Sequence, residues 1–426
     1  MSHSGVVTGA DRPVIVIGGG LVGLCTAYYL RQRGAEVLVL ERERIGSGAS
    51  RGNAGEVCPS GVEPLAAPGM IRESIRSALR SGGALSLRPL GGAAVVRFAV
   101  RFALLSNARD YERGFSALAG LARRTYDLYD ALASDGVGTH IRRNGYLYCC
   151  SSPGSAHHHR ASLDRFVRKG LAQPPGPMLG ARELREMEPA VGDGARAGFL
   201  LPQERWIDPS RFVDDLAVAL ARMGVRVLEG AEVTGLREEG GGVRVTGGFG
   251  QETGSAGVIA GGARSRELLA ALGLRTLLQP GKGYSFSISP EVMPAHCLYL
   301  PDVHVGVTPM GERLRVAGTM QMDGTYDRFD RRRIPAIVTA AAPYVRGVDW
   351  GARADEWVGP RPMTPDGLPM LGVLPGRTRT FVAAGHNMIG LTLAPTTGKA
   401  MADLILGDDP GIDLSAMAPG RAAVRA

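Results

Sequence analysis

Three glycines, Gly18, Gly20 and Gly23, stand at GxGxxG spacing in the run GGGLVG, and Glu41 follows 18 residues after the last of them. That spacing can bind a pyrophosphate. The first glycine permits a tight turn, the second lets phosphate approach the backbone, and the third lets a helix pack close to a strand. Leu21 and Val22 open that helix, whose unpaired N–H groups would face the anion. Glu41 can accept ribose hydroxyls, and a carboxylate there argues against a 2′-phosphate. The ligand class is therefore a dinucleotide, NAD or FAD but not NADP.

The elements around the motif agree. Val14 to Ile17 is a β-branched run, a helix pattern from Leu21 to Arg33 stops at Gly34, and Glu36 to Glu41 reads as a second strand, which together make a βαβ unit. A second helix-to-strand unit spans Pro209 to Leu228. A hairpin is expected from Val233 to Leu236 and Val243 to Thr246 around Gly240-Gly241-Gly242, then a strand Val258 to Ala260 ending at Gly261-Gly262. Near the end come a strand, Thr380 to Ala384, and a helix expected from Pro395, as its first residue, to Ile405. Nucleotide-sheet elements thus recur at the start, middle and end. The fold class is α/β: a discontinuous Rossmann-like cofactor domain (1–90, 205–275 and 355–426) with an inserted α+β substrate domain containing an antiparallel sheet (91–204 and 276–354).

Composition narrows the class further. Of 426 residues, 44% are hydrophobic and 21% charged, which excludes a disordered or fibrous chain. The net charge is +8, carried by Arg except at Lys169, Lys282 and Lys399, and favours anionic partners without naming one. No nucleic-acid-reading motif occurs, so no such partner is expected. The five Cys form no CxxC pair, and His157-His158-His159 is expected in an exposed loop, since adjacent His cannot converge on one ion; no metal is expected. No secretory signal is seen, so a cytoplasmic protein is expected. From Ile71 to Leu132 the pattern is helical and basic, either a solvated face or an amphipathic segment touching an anionic membrane surface at its inner side.

After Glu41 come Arg42, the small-residue loop GSGAS (Gly46 to Ser50) and Asn53-Ala54-Gly55. A bare NAD site has no need of this second loop, whereas a longer cofactor does. Further along stand KGYS (Lys282 to Ser285), GPRPMTPDGLP (Gly359 to Pro369) and GHNMIGLTLAPTTGK (Gly385 to Lys399). With GGGLVG and ASRGNAG, these blocks make the chain resemble the FAD-dependent amine oxidoreductases of the D-amino acid oxidase superfamily. The likeness is nearest to the bacterial D-amino acid dehydrogenases, with glycine oxidase more distant, and covers nearly the whole chain.

The resemblance implies FAD held non-covalently, because neither Asn53 and its neighbours nor Arg361-Pro362-Met363-Thr364 offers the His or Cys that tethers flavin in some relatives. It assigns to the cofactor Gly18, Gly20, Leu21, Val22, Gly23, Glu41 and Arg42, then Ala49, Ser50, Asn53, Ala54 and Gly55 in the second loop, and Val233 and Gly261 on the middle unit. At the flavin end it assigns Gly385, His386, Met388, Ile389, Gly390, Leu391 and Thr392, with His386 either a flavin neighbour or a turn residue. Arg361, on a proline-stiffened stretch, can fork onto a substrate carboxylate, or form a structural ion pair with Asp366 or Glu356. Tyr284 would donate to the same carboxylate or be buried structure, and Tyr146, with Tyr148, lies on a strand face that is core or cavity. Ala263-Arg264-Ser265, Cys149-Cys150 and His296 to His304 depart from relatives, so side-chain preference is not carried over. The implied reaction oxidises an amino acid C–N bond, D-amino acids foremost, with hydride passing to the flavin and the imino acid hydrolysing to a 2-oxo acid and ammonia. A quinone, another electron carrier or O2 would be the acceptor. Glycine, sarcosine, proline-type or biosynthetic secondary amines are alternative substrates, and a non-catalytic flavin protein is a third reading.

Overall fold

Val14–Ile17 and Val37–Leu40 are apolar runs buried at every position, and strands of this kind persist only in a sheet covered on both faces. The computed structural model describes residues 12–69, 85–87 and 92–423. Among these, the two runs pair in parallel, Val14 with Val37 and Ile17 with Leu40. Their sheet runs in the order Met370–Val373, Thr380–Ala384, Ala256–Ile259, Val14–Ile17, Val37–Leu40, Arg226–Leu228. Only the Met370–Val373 edge is antiparallel to its neighbour. The hairpin of the middle unit gains a third strand, Gly250–Gly254, that its sequence did not announce.

Helix Leu21–Gln32 lies against helix Gly390–Leu406 so closely that a Cβ on Gly398 would sit 2.6 Å from the Cys25 carbonyl carbon. The second helix does not start at Pro395, as the sequence suggested, but five residues earlier, with Pro395 inside it. Proline there lacks the N–H that would bond the carbonyl of Leu391. Tyr129 supplies the missing donor, its Oη giving a 2.7 Å hydrogen bond to that oxygen. Tyr129 belongs to helix Thr125–Ser134, which, with helix Ala108–Ala122, packs through Phe115 and Leu118 into the core beneath the parallel sheet. These helices therefore pack on the cofactor side. Residues 71–84 and 88–91 of the expected basic helical stretch lie outside the described residues. The three His sit in helix Pro153–Ser162 rather than a loop, and no group of ligands suited to a metal occurs among the described residues.

The second layer is a mainly antiparallel sheet in the order Ala354–Met363, Gln279–Ile288, Arg313–Met322, Val305–Met310, Cys297–Leu300, Tyr146–Cys150, Ala197–Leu201, Leu179–Gly180, with Leu85–Leu87 added beside Arg313–Met322. The strand bearing Arg361 thus belongs to this sheet, and an expected boundary at residue 355 falls inside it. One face packs on helix Arg333–Ala341 through Phe286, Val307 and Ile337. The other faces the cofactor loops. Lys282 anchors the layer: fully buried, its ammonium donates to Asp323 Oδ2 (2.8 Å), Thr325 Oγ1 (2.9 Å) and the Arg328 carbonyl (2.7 Å). Removing one partner of such a pair leaves the other uncompensated. Lys282→Met should lower unfolding free energy by roughly 3–5 kcal/mol, read by urea denaturation; a loss under about 1 kcal/mol would show the pair to be dispensable.

Candidate active site

The glycine loop is built for close approach. Gly18 has φ +118°, and a Cβ there would lie 2.5 Å from the Ala260 oxygen, while a Cβ on Gly23 would lie 2.0 Å from the Gly18 oxygen. Helix Leu21–Gln32 has no side-chain cap at Gly20, so its first-turn donors beyond Leu21 N–H are available to phosphate oxygens. Glu41 is held at the end of its strand by Gly19 N–H to Oε2 (2.7 Å) and Glu43 N–H to Oε1 (2.9 Å), leaving lone pairs for ribose hydroxyls. Ser50 Oγ accepts from Leu21 N–H at 3.2 Å and so joins the second loop to the helix start.

A groove extends from these residues to the start of helix Gly390–Leu406. Gly18, Gly20, Leu21, Val22, Glu41, Arg42, Ala49, Ser50 and Asn53 line it; so do Val233, Gly261, Met388, Gly390, Leu391, His386 and Arg361. Gly23, Ala54, Gly55, Gly385, Ile389 and Thr392 do not. Several of these hold the wall instead: Gly55 passes the Ile207 backbone, where a Cβ would be 2.5 Å from the oxygen, and Thr392 Oγ1 accepts from Cys58 N–H at 3.2 Å. His386 is buried beside Thr397 Oγ1 at 3.0 Å, and burial pushes its imidazole down to about 4. It is therefore neutral, and the positive end of the uncapped last helix is free to face negative charge at the groove's inner end.

Arg361 reaches this end because its strand is docked onto the flavin-side turn. Asn387, at φ +51°, donates its N–H to the Pro362 carbonyl (3.0 Å) and accepts from Thr364 N–H (2.9 Å). Trp357 of the same strand lies over Gly52, where a Cβ would meet its ring at 2.0 Å, and Ser285 Oγ donates to the Gly52 carbonyl at 2.8 Å. The guanidinium rests on Gly283, whose absent Cβ would be 2.2 Å from Cζ, and donates to the Thr319 carbonyl at 2.9 Å. The structural alternatives are filled by others: Asp366 binds Arg421, and Glu356 binds Arg353. Burial draws the Arg361 guanidinium down to about 10, against the opposing pull of Glu56.

Tyr284 is not at this site. Residues paired across antiparallel strands share a face; Trp357, Gly359 and Arg361 pair with Ser285, Gly283 and Gly281, so Tyr284 points the other way. It is 1% exposed in the opposite core, donating to Gln321 Oε1 (2.6 Å) and accepting from Asp330 N–H (3.2 Å). Tyr146 lies on the site face but is spent on the Arg205 carbonyl at 3.0 Å. Its neighbour Tyr148 is half-buried, stacked on Phe199 (4.6 Å) and edge-on to Tyr299 (5.1 Å). Sequence reasoning also passed over Glu56 and Asn387. Glu56 feels the Arg361 charge without bonding to it: burial pushes its carboxyl up to about 7, with Arg361 pulling the other way. A lone carboxylate among Gly, Val and Cys was the available signal.

Residues 13–404 match the family described as FAD dependent oxidoreductase. The chain belongs to that family, and FAD is its cofactor. Two relatives are D-amino acid dehydrogenases: that of Xanthobacter autotrophicus is 32% identical over 425 residues, spanning 96% of this chain and 99% of the relative. That of Cereibacter sphaeroides is 30% identical over 427 residues, spanning 96% and 97%. The glycine oxidase of Geobacillus kaustophilus superposes with a TM-score of 0.73 at 24% identity, over 96% of this chain and 98% of that one. Iminodiacetate oxidase from Chelativorans sp. BNC1 gives 0.73 at 21%, over 95% and 98%. These two likenesses carry the fold: a parallel cofactor sheet joined to an antiparallel one.

Proposed function

We propose that this protein oxidises the C–N bond of an α-amino acid, D-configured like the substrates named for its relatives, to an imino acid that water hydrolyses to a 2-oxo acid and ammonia. The observation that carries this reading is Arg361, a guanidinium on the groove wall with one protein hydrogen bond and no ion pair among the described residues. Its remaining donors suit an α-carboxylate, which they can grip in a bidentate fork. FAD, when bound, supplies the two-electron acceptor for the α-hydrogen. The chain fixes the carboxylate, walls the site with the Gly390–Leu406 helix start and the glycine-floored sheet, and so sets the α-carbon against the groove. Asn53 and the Arg361 to Thr364 stretch contain no His or Cys for flavin attachment, which supports non-covalent binding. Anaerobic mixing of the yellow protein with D- and L-amino acids tests the reading. Bleaching by D-enantiomers is expected; flavin that no amino acid or amine reduces would sink it.

The electron acceptor in this reading is a quinone reached at an anionic membrane surface. Helix Gly92–Leu105 turns Val96, Val100 and Leu104 outward, 55, 55 and 65% exposed, with Arg97 and Arg101 exposed beside them. Its inner face packs Phe98 against Met363, two residues from Arg361. An apolar stripe flanked by cations suits a lipid interface; no helix among the described residues is long and apolar enough to cross a membrane. Val100→Asp with Leu104→Asp should weaken sedimentation with anionic vesicles by roughly tenfold or more. Wild-type protein that ignores such vesicles at low salt would leave a soluble carrier or O2 as acceptor.

A further inference from the structure

The reaction needs the substrate amine uncharged, because the nitrogen lone pair must become the C=N bond as the α-hydrogen leaves with its electron pair. Free α-amino acids carry an ammonium at neutral pH. The site therefore needs a group that takes this proton.

Glu56 is placed for it. Its two-residue strand Glu56–Val57 pairs with Arg205–Trp206. The turn before it is pinned by Asn53 Oδ1 to Gly55 N–H (2.9 Å) and by Ile207 N–H to the Gly55 carbonyl (2.9 Å). Thr392 Oγ1, in the first turn of the last helix, donates to the Glu56 carbonyl at 3.3 Å, so the residue is tied to the wall behind the groove's inner end, one layer outside the residues that line it. The side chain crosses over Gly306, where a Cβ would lie 2.2 Å from Oε1. Any other residue at 306 would displace the carboxylate.

Gly306 faces Ala317 on the strand that also carries Thr319, and Thr319 holds Arg361. The carboxylate stands over Gly306 and the guanidinium over Gly283, on strands separated by Arg313–Met322, so two strand spacings, roughly 10 Å, lie between the two floors. The two groups feel each other's charge yet form no ion pair or hydrogen bond with each other, and the Glu56 carboxylate has no hydrogen-bond partner among the described residues. A cation and an anion held apart over a glycine floor match the two charges of one α-amino acid.

Building on the amino acid reading of the site, we propose that Glu56 is a catalytic residue: it receives the substrate ammonium while Arg361 holds the carboxylate, and it takes one proton from that nitrogen. The proton moves from N to a Glu56 oxygen. The lone pair it leaves forms the imine π bond when the α-hydrogen and its two electrons pass to the oxidised cofactor, and Glu56 later releases the proton to water.

The charged groups facing Glu56 are Arg361 and the buried Glu204, itself pushed up to about 7 by burial despite hydrogen bonds from Ser60 and Tyr126. Cys58, Cys297, Tyr146, Tyr148 and Tyr299 also face it, and burial raises each, so all stay neutral near pH 7. Only the two carboxyls thus titrate near neutrality. A proton acceptor with affinity near ambient pH is the efficient kind.

The experiment uses FAD-loaded wild type, Glu56→Gln and Glu56→Asp, with D-alanine because its side chain is neutral. Anaerobic flavin reduction is followed from about pH 6 to about pH 10, spanning the carboxyl and amine ranges. Separately, benzoate, a carboxylate without an amine, is titrated by its effect on the flavin spectrum. Glu56→Gln should slow reduction at low substrate about 100-fold near pH 7 and less than about tenfold near pH 10, where solvent supplies neutral amine. Glu56→Asp should fall between, and benzoate should bind Glu56→Gln at least as tightly as wild type. A fall by one factor at every pH, weakened benzoate binding, or loss confined to D-arginine and D-lysine would overturn the assignment. Wild-type flavin reduced by no amino acid would instead overturn the substrate reading beneath it.

Discussion

Arg361→Ala should keep its flavin and lose its substrate. The expected loss in apparent affinity for an amino acid in anaerobic bleaching is about 2–5 kcal/mol, the range for deleting one partner of a buried charge pair, or roughly thirty-fold to a few thousand-fold. The protein itself should tolerate the change. Arg361 gives the fold one hydrogen bond, to Thr319, and burial lowers its guanidinium to about 10. A group whose charged form is disfavoured on folding costs stability wherever it is charged, so removing it near pH 7 should not bring unfolding forward. Arg361→Lys should recover little, because a point charge cannot reproduce the planar fork. Gly283→Ala provides an independent check: its new Cβ would lie 2.2 Å from Cζ and must push the guanidinium aside, so it too should lose substrate and keep flavin. Unchanged bleaching by Arg361→Ala would remove this residue from the site.

What could be read from the sequence was whatever depends on local constraint. Gly18, Gly20 and Gly23 are recognisable because turn, phosphate approach and helix packing each demand a missing Cβ within six residues. Arg361 stood out because prolines on both sides stiffen it. Tyr284 failed for a reason of parity. In Lys282-Gly283-Tyr284-Ser285 the odd residues face the groove, and that follows only from pairing with Trp357, Gly359 and Arg361, some 75 residues away. Pro395 misled in the same way, since the helix passes through it only because Tyr129, from another helix, satisfies Leu391. Glu56 was hidden because its meaning depends on Gly306 and Arg361, both distant in the chain. The family blocks thus identify the cofactor groove, whereas the substrate site is made where the antiparallel sheet meets it.

The groove itself is most vulnerable at Gly23. Alanine adds a single methyl group, yet that carbon would stand 2.0 Å from the Gly18 oxygen and 3.1 Å from its carbonyl carbon, which are backbone atoms with no rotamer to yield. Gly18 has little room to move away, because the Ala260 oxygen lies only 2.5 Å from where its missing Cβ would stand and its N–H is bonded to the Leu40 carbonyl at 2.8 Å. The helix must therefore lift off the sheet. Its start carries the phosphate-facing donors, and its flank meets Gly398, so the displacement spoils both the pyrophosphate cradle and the contact with the last helix. Overpacking of this kind costs about 1–3 kcal/mol or more in stability. Misplaced phosphate donors add a further loss in FAD binding, for a combined fall in FAD affinity of at least about 100-fold. Gly23→Ala should emerge pale from purification, and titration with FAD, followed by quenching of flavin fluorescence, should give a proportionally raised Kd. Gly248→Ala, an exposed position away from the groove with open space around its Cβ, should bind FAD like wild type. If the two variants proved equally yellow, close helix–strand packing would not be what forms the cradle.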